Sequence, residues 1–467
     1  MFTARKILCS LVSRQFSSSA SRSGATLPEF SYQPSAYTGP SFDEVKAARA
    51  AHLNPALFLY YQNPIMLHEG KGQYVFDHTG QRYLDCLGGI VTVSVGHSHP
   101  EVVNAGIEQM KKIMHTTTIY YHPEVAMFAK ELAAKLPEPL DTIYFLNSGS
   151  EANDLALLMA RLHTGSEHIM ALRNCYHGMS EGSMALTSLS TWKYPVHQGN
   201  GILHVLNPNP YRGPYGYDDE KAGEKYAADV SDVIAQVTPG KVAGFIAESI
   251  QGVGGTVVFP EGYLAKTYEH VRAAGGVCIA DEVQTGFGRM GSHFWGFETH
   301  GVTPDIVTMA KGIGNGAPLA AVATTSEIAS KLAQKIHFNT YGGNPVSSAI
   351  GRAVLRVIEQ DGTQQNSHDR GNQFLEGFRA LQKKHDIIGD VRGRGLMLGV
   401  EFVKDRNTKE PATQEVAQVF ETLKDNGLLV GKGGLHGNVF RIKPPMCLSA
   451  DDVDFALEAF DDAIQKL

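Results

Sequence analysis

Two carboxylates, Asp281 and Glu282, stand side by side at the end of an apolar run in "VCIADEV", and a single lysine, Lys311, follows the next apolar run in "IVTMAKGIGNG". In open α/β sheets the ligand crevice lies outside the carboxyl ends of the strands, so residues that close apolar runs are the candidates for chemistry. Asn147-Ser148-Gly149-Ser150 and Glu248 complete that set. A lysine amine near apolar walls and other cations loses its proton more readily than one in water, and Lys311 can then condense with an aldehyde; a lone lysine is otherwise a surface charge. Asp281 suits a protonated aromatic ring nitrogen, because a buried carboxylate needs a cation, although a helix cap would use the same residue. Gln284 follows three residues on and can hydrogen-bond a hydroxyl oxygen of that ring. Ser148, Gly149 and Ser150 open a helix, where free amides and the positive dipole end favour a phosphate; a plain N-cap is the other reading. Tyr176 in "NCYHG" offers an aromatic face for stacking or for ordinary packing. Arg441 in "VFRIKPP" can take a carboxylate with two parallel hydrogen bonds. Together these residues describe a site for an aromatic, phosphorylated aldehyde.

The elements that must position them are visible as patterns. Short apolar runs at "LDTIYFLN", "EHIMAL", "VAGFIAE", "GGVCIAD" and "PDIVTMA" predict buried strands. Helical periods at "HPEVVNAGIEQMKKIM", "SEANDLALLMARLH" and "YLAKTYEHVRAAG" fall among them. Such alternation implies an α/β domain with a mostly parallel central sheet. "VFDHTGQRYLDC" predicts a hairpin turning through His78-Thr79-Gly80. "NPNPYRGPYGYDDE" has the Pro, Gly and Tyr content of a surface excursion. After "NTYGGNPVSSAIGRAVLRVIEQ" the texture changes to long helices with strands at "GLMLGVEFV" and "VFRIKPP", which predicts a smaller α+β domain. The expected division is 29–104 as an N-terminal segment belonging to the small domain, 105–360 as the large domain, and 361–467 as the C-terminal small domain.

Composition bounds the function. The chain of 467 residues is 43% hydrophobic with net charge −7, enough apolar material for two lobes and no basic block in its body to hold nucleic acid. No apolar run is long enough to span a membrane, so a soluble protein acting on small molecules is expected. The first 28 residues carry Arg5, Lys6, Arg14 and Arg22, many serines and no acid, which is the composition of a mitochondrial transit peptide; a disordered basic tail is the alternative. The five cysteines show no C-x-x-C spacing and read as inert thiols rather than disulfides or a zinc knuckle.

The stretches "GVCIADEVQTGFGRMGSHFWGFETHGVTPDIVTMAKGIGNG", "NSGSEAND", "HFNTYGGNP" and "FRIKPP" closely resemble the class III (omega) aminotransferases, pyridoxal 5'-phosphate enzymes of fold type I. The likeness runs from about Leu57 to the C-terminus. It implies that Lys311 holds the cofactor, Asp281 its ring nitrogen and Gln284 its ring oxygen, with Ser148, Gly149 and Ser150 at the phosphate and Tyr176 stacked on the ring beside His177. Thr340 matches a residue that the family gives to the phosphate site of the neighbouring subunit, so a homodimer is implied, with a homotetramer as its further assembly. Glu248 matches a gating glutamate that pairs with the arginine matched by Arg441, although Ser249 stands where many relatives have proline. Further likeness at "GGIVTVSVGHSHP", "LPEPL" and "YRGP" implies transfer of an amino group from alanine to glyoxylate in the mitochondrial matrix, with beta-aminoisobutyrate or methylated arginines as further donors. Other omega-amino-acid transaminases of the family, acting on beta-alanine, 4-aminobutyrate or ornithine, are the alternative.

Two other motifs carry less. "GMSEG", Gly178 to Gly182, matches the G-x-S-x-G of serine hydrolases, but that motif needs a strand running straight into the serine turn and "RNCYHG" intervenes. "GHSHP" spaces His97 and His99 as zinc ligands can be, yet no nearby acid or cysteine completes a set, so no metal is expected.

Overall fold

A computed structural model describes residues 24–467. Its centre is a seven-stranded sheet in the order Thr142–Leu146, Ala320–Thr324, Ile306–Met309, Val277–Asp281, Gly244–Glu248, Ile169–Leu172, Ile202–Val205. Only Ala320–Thr324 runs antiparallel to its neighbours; the other pairings are parallel. Five of these strands, including Val277–Asp281, are buried along their whole length, as continuous apolar runs covered on both faces must be. The fold is α/β with a mostly parallel sheet, as the patterns imply. Ile202–Val205 and Ala320–Thr324 were not among the expected strands.

The helix that opens the site, Gly149–Thr164, starts because Ser148 caps it: Ser148 Oγ accepts from Glu151 N at 3.3 Å. It ends at Gly165, whose φ of 67° is the left-handed conformation of a C-terminal cap. Between these ends Ala152, Leu155, Ala156, Met159 and Ala160 are buried. The helical pattern beginning at Pro100 stops at Met110, short of the expected extent, and the following Ile113 and Met114 are exposed.

The smaller domain holds an antiparallel sheet of Ile388–Arg394, Met397–Phe402, Val439–Ile442 and Gly431–Gly433, backed by helices Thr363–Lys384, Thr413–Asp425 and Ala450–Gln465. A second sheet is a meander of Leu67–Lys71, Tyr74–Asp77 and Arg82–Asp85, and its last strand pairs in parallel with Leu428–Leu429 from near the C-terminus. The transit-peptide expectation falls largely on residues outside the described ones; within 24–28, Leu27 packs on the core and Arg82 Nη2 donates to the Pro28 carbonyl at 2.6 Å. The segment 207–220 is not a simple surface excursion. Asn209 and Tyr211 are buried, the Asn209 carbonyl accepts from Tyr226 Oη, and Arg212 pairs with Glu401 of the smaller domain, so the segment wedges between the two lobes.

Glu282, the second acid of the opening motif, faces away from the site. Its fully buried carboxylate accepts from Ser249 Oγ, Thr285 Oγ1 (2.9 Å), Gly296 N (2.7 Å) and Phe297 N (2.9 Å). Ser249 therefore has a use of its own, tying the strand end at Glu248 to this knot. Glu282→Ala strands four buried donors, and at about 1 kcal/mol or more for each the loss should be on the order of 3–5 kcal/mol. Urea unfolding followed by circular dichroism measures it, with a shift under about 1 kcal/mol contradicting the assignment.

Candidate active site

The register of the sheet gathers the polar residues. Glu248 pairs with Asp281 across neighbouring strands, and Asp281 pairs in turn with Thr308, so two carboxylates and a hydroxyl line up where the strands end. Lys311 follows directly, in the short turn Lys311–Gly314, with φ at 52°. That left-handed backbone is unfavourable for lysine and is held by its surroundings. Gly312 helps: a Cβ there would meet Ser94 Oγ at 2.7 Å.

Asp281 is buried and fully engaged. Its Oδ2 accepts from His177 Nδ1 at 2.7 Å and from Asn153 Nδ2 at 2.9 Å, and its Oδ1 accepts from Val283 N at 3.1 Å. Burial opposes the charge, but His177, Asn153 and the Val283 amide overcome it and hold the carboxyl below its usual range. For His177 the balance also favours the ion: burial works against the proton, and Cys175 and Asp281 outweigh it, so the imidazole is raised well above its ordinary value. His177 Nε2 is buried without a partner among the described residues.

Sequence patterns had pointed to neither Asn153 nor Thr308. Asn153 Nδ2 also donates to the His177 carbonyl at 2.7 Å, and its Oδ1 accepts from Thr308 Oγ1 at 2.7 Å. The available signal was a polar residue falling on the buried stripe of "SEANDLALLMA" and a threonine inside an apolar strand. Lys443 was missed as well; it stands two residues beyond Arg441 and its Nζ donates to Gln284 Oε1 at 3.0 Å.

Lys311 is enclosed by charge. Burial pushes its amine down to about 8, Asp281 and Glu248 resist, and Arg441 adds to the depression. Tyr176 lies above Glu248, its backbone N–H donating to Glu248 Oε1 at 3.1 Å, and its ring meets Trp192 edge-on. Glu248 Oε2 accepts from Gly252 N at 2.6 Å, and burial raises its carboxyl. Arg441 is not paired with Glu248. Its Nε donates to the Lys432 carbonyl at 3.1 Å, and its Nη1 is buried with no acceptor among the described residues. At the helix start, Ser150 Oγ accepts from Met179 N at 3.2 Å, while the first amides, Gly149 and Ser150, have no intrahelical acceptor. Thr340 is exposed, on a loop whose Asn339 accepts from Asn147 Nδ2 at 3.2 Å. Thus Lys311, Asp281, Gln284, Glu248, Tyr176, His177 and Arg441 converge, the 148–150 turn borders them, and Thr340 lies on the rim.

The rival motifs resolve into local structure. Ser180 caps the helix Glu181–Leu186, its Oγ 2.6 Å from Ser183 Oγ, well separated from the strand Ile169–Leu172. His97 and His99 reach different carboxylates, Asp85 at 2.8 Å and Asp361 at 3.1 Å.

Comparison with known proteins agrees with this geometry. The family model for aminotransferase class-III matches residues 60–464. The chain is a class III aminotransferase. The alanine–glyoxylate aminotransferase 2 homolog 2, mitochondrial, of Arabidopsis thaliana is 52% identical over 443 residues, covering 95% of this chain and 92% of that protein. The mitochondrial alanine–glyoxylate aminotransferase 2 of Homo sapiens is 46% identical over 460 residues, covering 94% and 90%. Among solved structures, a phospholyase from Arthrobacter in complex with phosphoethanolamine superposes with a TM-score of 0.85 at 32% identity, covering 91% of this chain and all of that one. A Bacillus anthracis aminotransferase gives 0.85 at 29% identity, covering 91% and 98%. Class III aminotransferases depend on pyridoxal phosphate, and so does this enzyme.

Lys311 in the cofactor-free protein should titrate near 8, as burial dictates, with the reactive neutral amine present above that pH. Acylation by a small amine-directed reagent, quantified by peptide mapping, should reach half its plateau rate near pH 8; a midpoint near the ordinary 10.5 would contradict the enclosure described.

Proposed function

We propose that this aminotransferase moves the amino group of alanine to glyoxylate, giving pyruvate and glycine, with Lys311 as its cofactor-holding base. The observation that carries the reading is the buried Arg441 Nη1 without an acceptor, beside an amine whose basicity burial has lowered to about 8. A buried guanidinium hydrogen left unpaired is costly, and an α-carboxylate is the group that satisfies it in forked geometry. The names of the Arabidopsis and human relatives support the choice of donor and acceptor.

The residues fit pyridoxal phosphate. The free amides of Gly149 and Ser150 at the helix start, with the Ser148 turn, suit the phosphate; Asp281 suits the ring nitrogen, Gln284 the ring oxygen, and Tyr176 the ring face with His177 beneath Asp281. When bound, the cofactor supplies an electrophilic carbon for the amino group and a ring that accepts the electron pair released at the substrate α carbon. Arg441 orients the substrate carboxylate. The Lys311 amine takes the proton from the α carbon, a task suited to a base poised near neutral pH. Asp281, kept ionised by His177 and Asn153, holds a proton on the ring nitrogen throughout. Glu248, engaged by two backbone amides, leaves Arg441 free in this arrangement.

The same reading includes a homodimer. Ile119, Tyr120 and Tyr121 are exposed at 69%, 66% and 109%, and Ile336 on the Thr340 loop at 98%, apolar side chains of the kind that a partner covers. His115 and Tyr341 join the two segments, with ring centroids 5.4 Å apart. Thr340, exposed on its loop, would serve the phosphate site of the second copy, as the resemblance to the family suggests. The basic, serine-rich leader and the relatives named mitochondrial support action in the mitochondrial matrix.

A donor–acceptor panel on purified enzyme should give highest turnover with alanine plus glyoxylate; preference for beta-alanine, 4-aminobutyrate or ornithine would overturn the substrate assignment. Lys311→Ala should lose measurable transamination. Arg441→Ala should raise KM for alanine and glyoxylate on the order of 100-fold, the cost of removing one partner from a buried charge pair, with a smaller change in kcat. An unchanged KM removes Arg441 from substrate binding. Tyr121→Asp should shift sedimentation toward monomer and weaken cofactor retention together.

A further inference from the structure

The strand Val439–Ile442 brings Arg441 to the site, and residues two apart along an extended chain share a face, so Lys443 reaches the same crevice. Lys443 is fully buried and forms no ion pair among the described residues. Burial, together with the cations of Arg441, Lys311 and Arg289, pushes its amine well below the ordinary value, against the pull of Glu248. Among the described residues its amine forms one hydrogen bond, donated by Nζ to Gln284 Oε1 at 3.0 Å. A buried amine amid other cations is costly, and nothing in the reaction described above employs it.

The amide it meets is tightly held. A Cβ on Gly252 would lie 2.5 Å from both Gln284 Oε1 and Gln284 Nε2, so the amide rests against bare backbone that only glycine provides. Gly252 N in turn donates to Glu248 Oε2 at 2.6 Å, which anchors that backbone to the sheet. An amide presents either a carbonyl or an NH2 to a given direction, depending on which way it is turned. The amine hydrogens of Lys443 bond the oxygen, which leaves Nε2 to donate to another acceptor.

We propose that Lys443 is a positioning residue that sets the orientation of Gln284, so that Gln284 Nε2 donates to the phenolic oxygen of pyridoxal phosphate. The inference rests on the reading of Gln284 as the residue at that oxygen. An N–H donated there stabilises the oxygen's negative charge and weakens its hold on the proton of the adjacent nitrogen, so the bound cofactor loses that proton at lower pH. Without Lys443 the amide turns over, its carbonyl faces the phenolic oxygen, and the proton is kept to higher pH.

The test is a double-mutant cycle on the holoenzyme, read as the pH midpoint of the bound cofactor's visible absorbance, with cofactor dissociation constants measured alongside. Lys443→Met, similar in length and without a donor, should raise the midpoint on the order of one pH unit. The same change made in the Gln284→Leu background should leave the midpoint where Gln284→Leu alone put it. An equal shift in both backgrounds means that Lys443 acts directly by its charge and overturns the proposal, as does no shift from Lys443→Met while Gln284→Leu shifts. No shift from Gln284→Leu itself refutes the underlying reading of Gln284 instead. If Lys443→Met does not fold, Lys443→Leu, which also lacks a donor and carries no charge, is measured in the same two backgrounds and must show the same dependence on Gln284.

Discussion

A buried, ionised carboxylate is the constraint that organises this protein. Asp281 keeps its charge only because His177, Asn153 and the Val283 amide converge on it, and each of those is itself fixed. Thr308, on the next strand, turns the Asn153 amide; Thr187 Oγ1 accepts from the His177 backbone at 3.0 Å and donates to the Gly178 carbonyl at 2.9 Å. The start of one helix, two adjacent strands and the 174–179 loop are thereby tied to a single oxygen pair. Such a network stabilises only when complete, since a partly satisfied one leaves buried polar groups unpaired.

Around that anion the crevice is weighted toward positive charge. Lys443 lies among Lys311, Arg441 and Arg289 with Glu248 opposing them, and among the described residues Arg289 has only oxygen partners without charge: the Leu396 carbonyl at 3.1 Å, the Pro444 carbonyl at 2.8 Å and the Ser94 hydroxyl at 3.5 Å. Burial lowers its guanidinium to about 10. A dianionic phosphate and a carboxylate substrate complement this surplus, and preorganised charge of this kind favours their binding without reorganisation of the site.

The parts of this arrangement that sequence revealed are those where one residue closes an apolar run. Asp281, Lys311 and Glu248 were legible because strand length and a charged terminus coincide there, and the parallel sheet followed from the alternation of runs and helices. Asn153 and Thr308 were not, because their roles depend on strand register, which no local pattern encodes. Lys443 carries no local signal that sets it apart from a surface lysine; the path of the strand buries it. The tyrosine- and proline-rich segment at 207–220 misled for a related reason: its composition is that of a loop, but Asn209 and Arg212 find their partners in distant strands and helices. Arg441 was correctly placed on a short strand, yet its separation from Glu248 is a matter of side-chain geometry beyond any motif.

The parallel pairing of Arg82–Asp85 with Leu428–Leu429 has a consequence for synthesis. The N-terminal meander leaves the ribosome early, with Tyr74, Phe76 and Leu84 ready for burial, but the strand that closes its edge emerges only near the end of translation. At about 5–20 residues per second, an unpaired edge and its apolar face stay open for roughly tens of seconds. The first-made sheet is therefore among the last to be completed, and its open edge is exposed in the meantime.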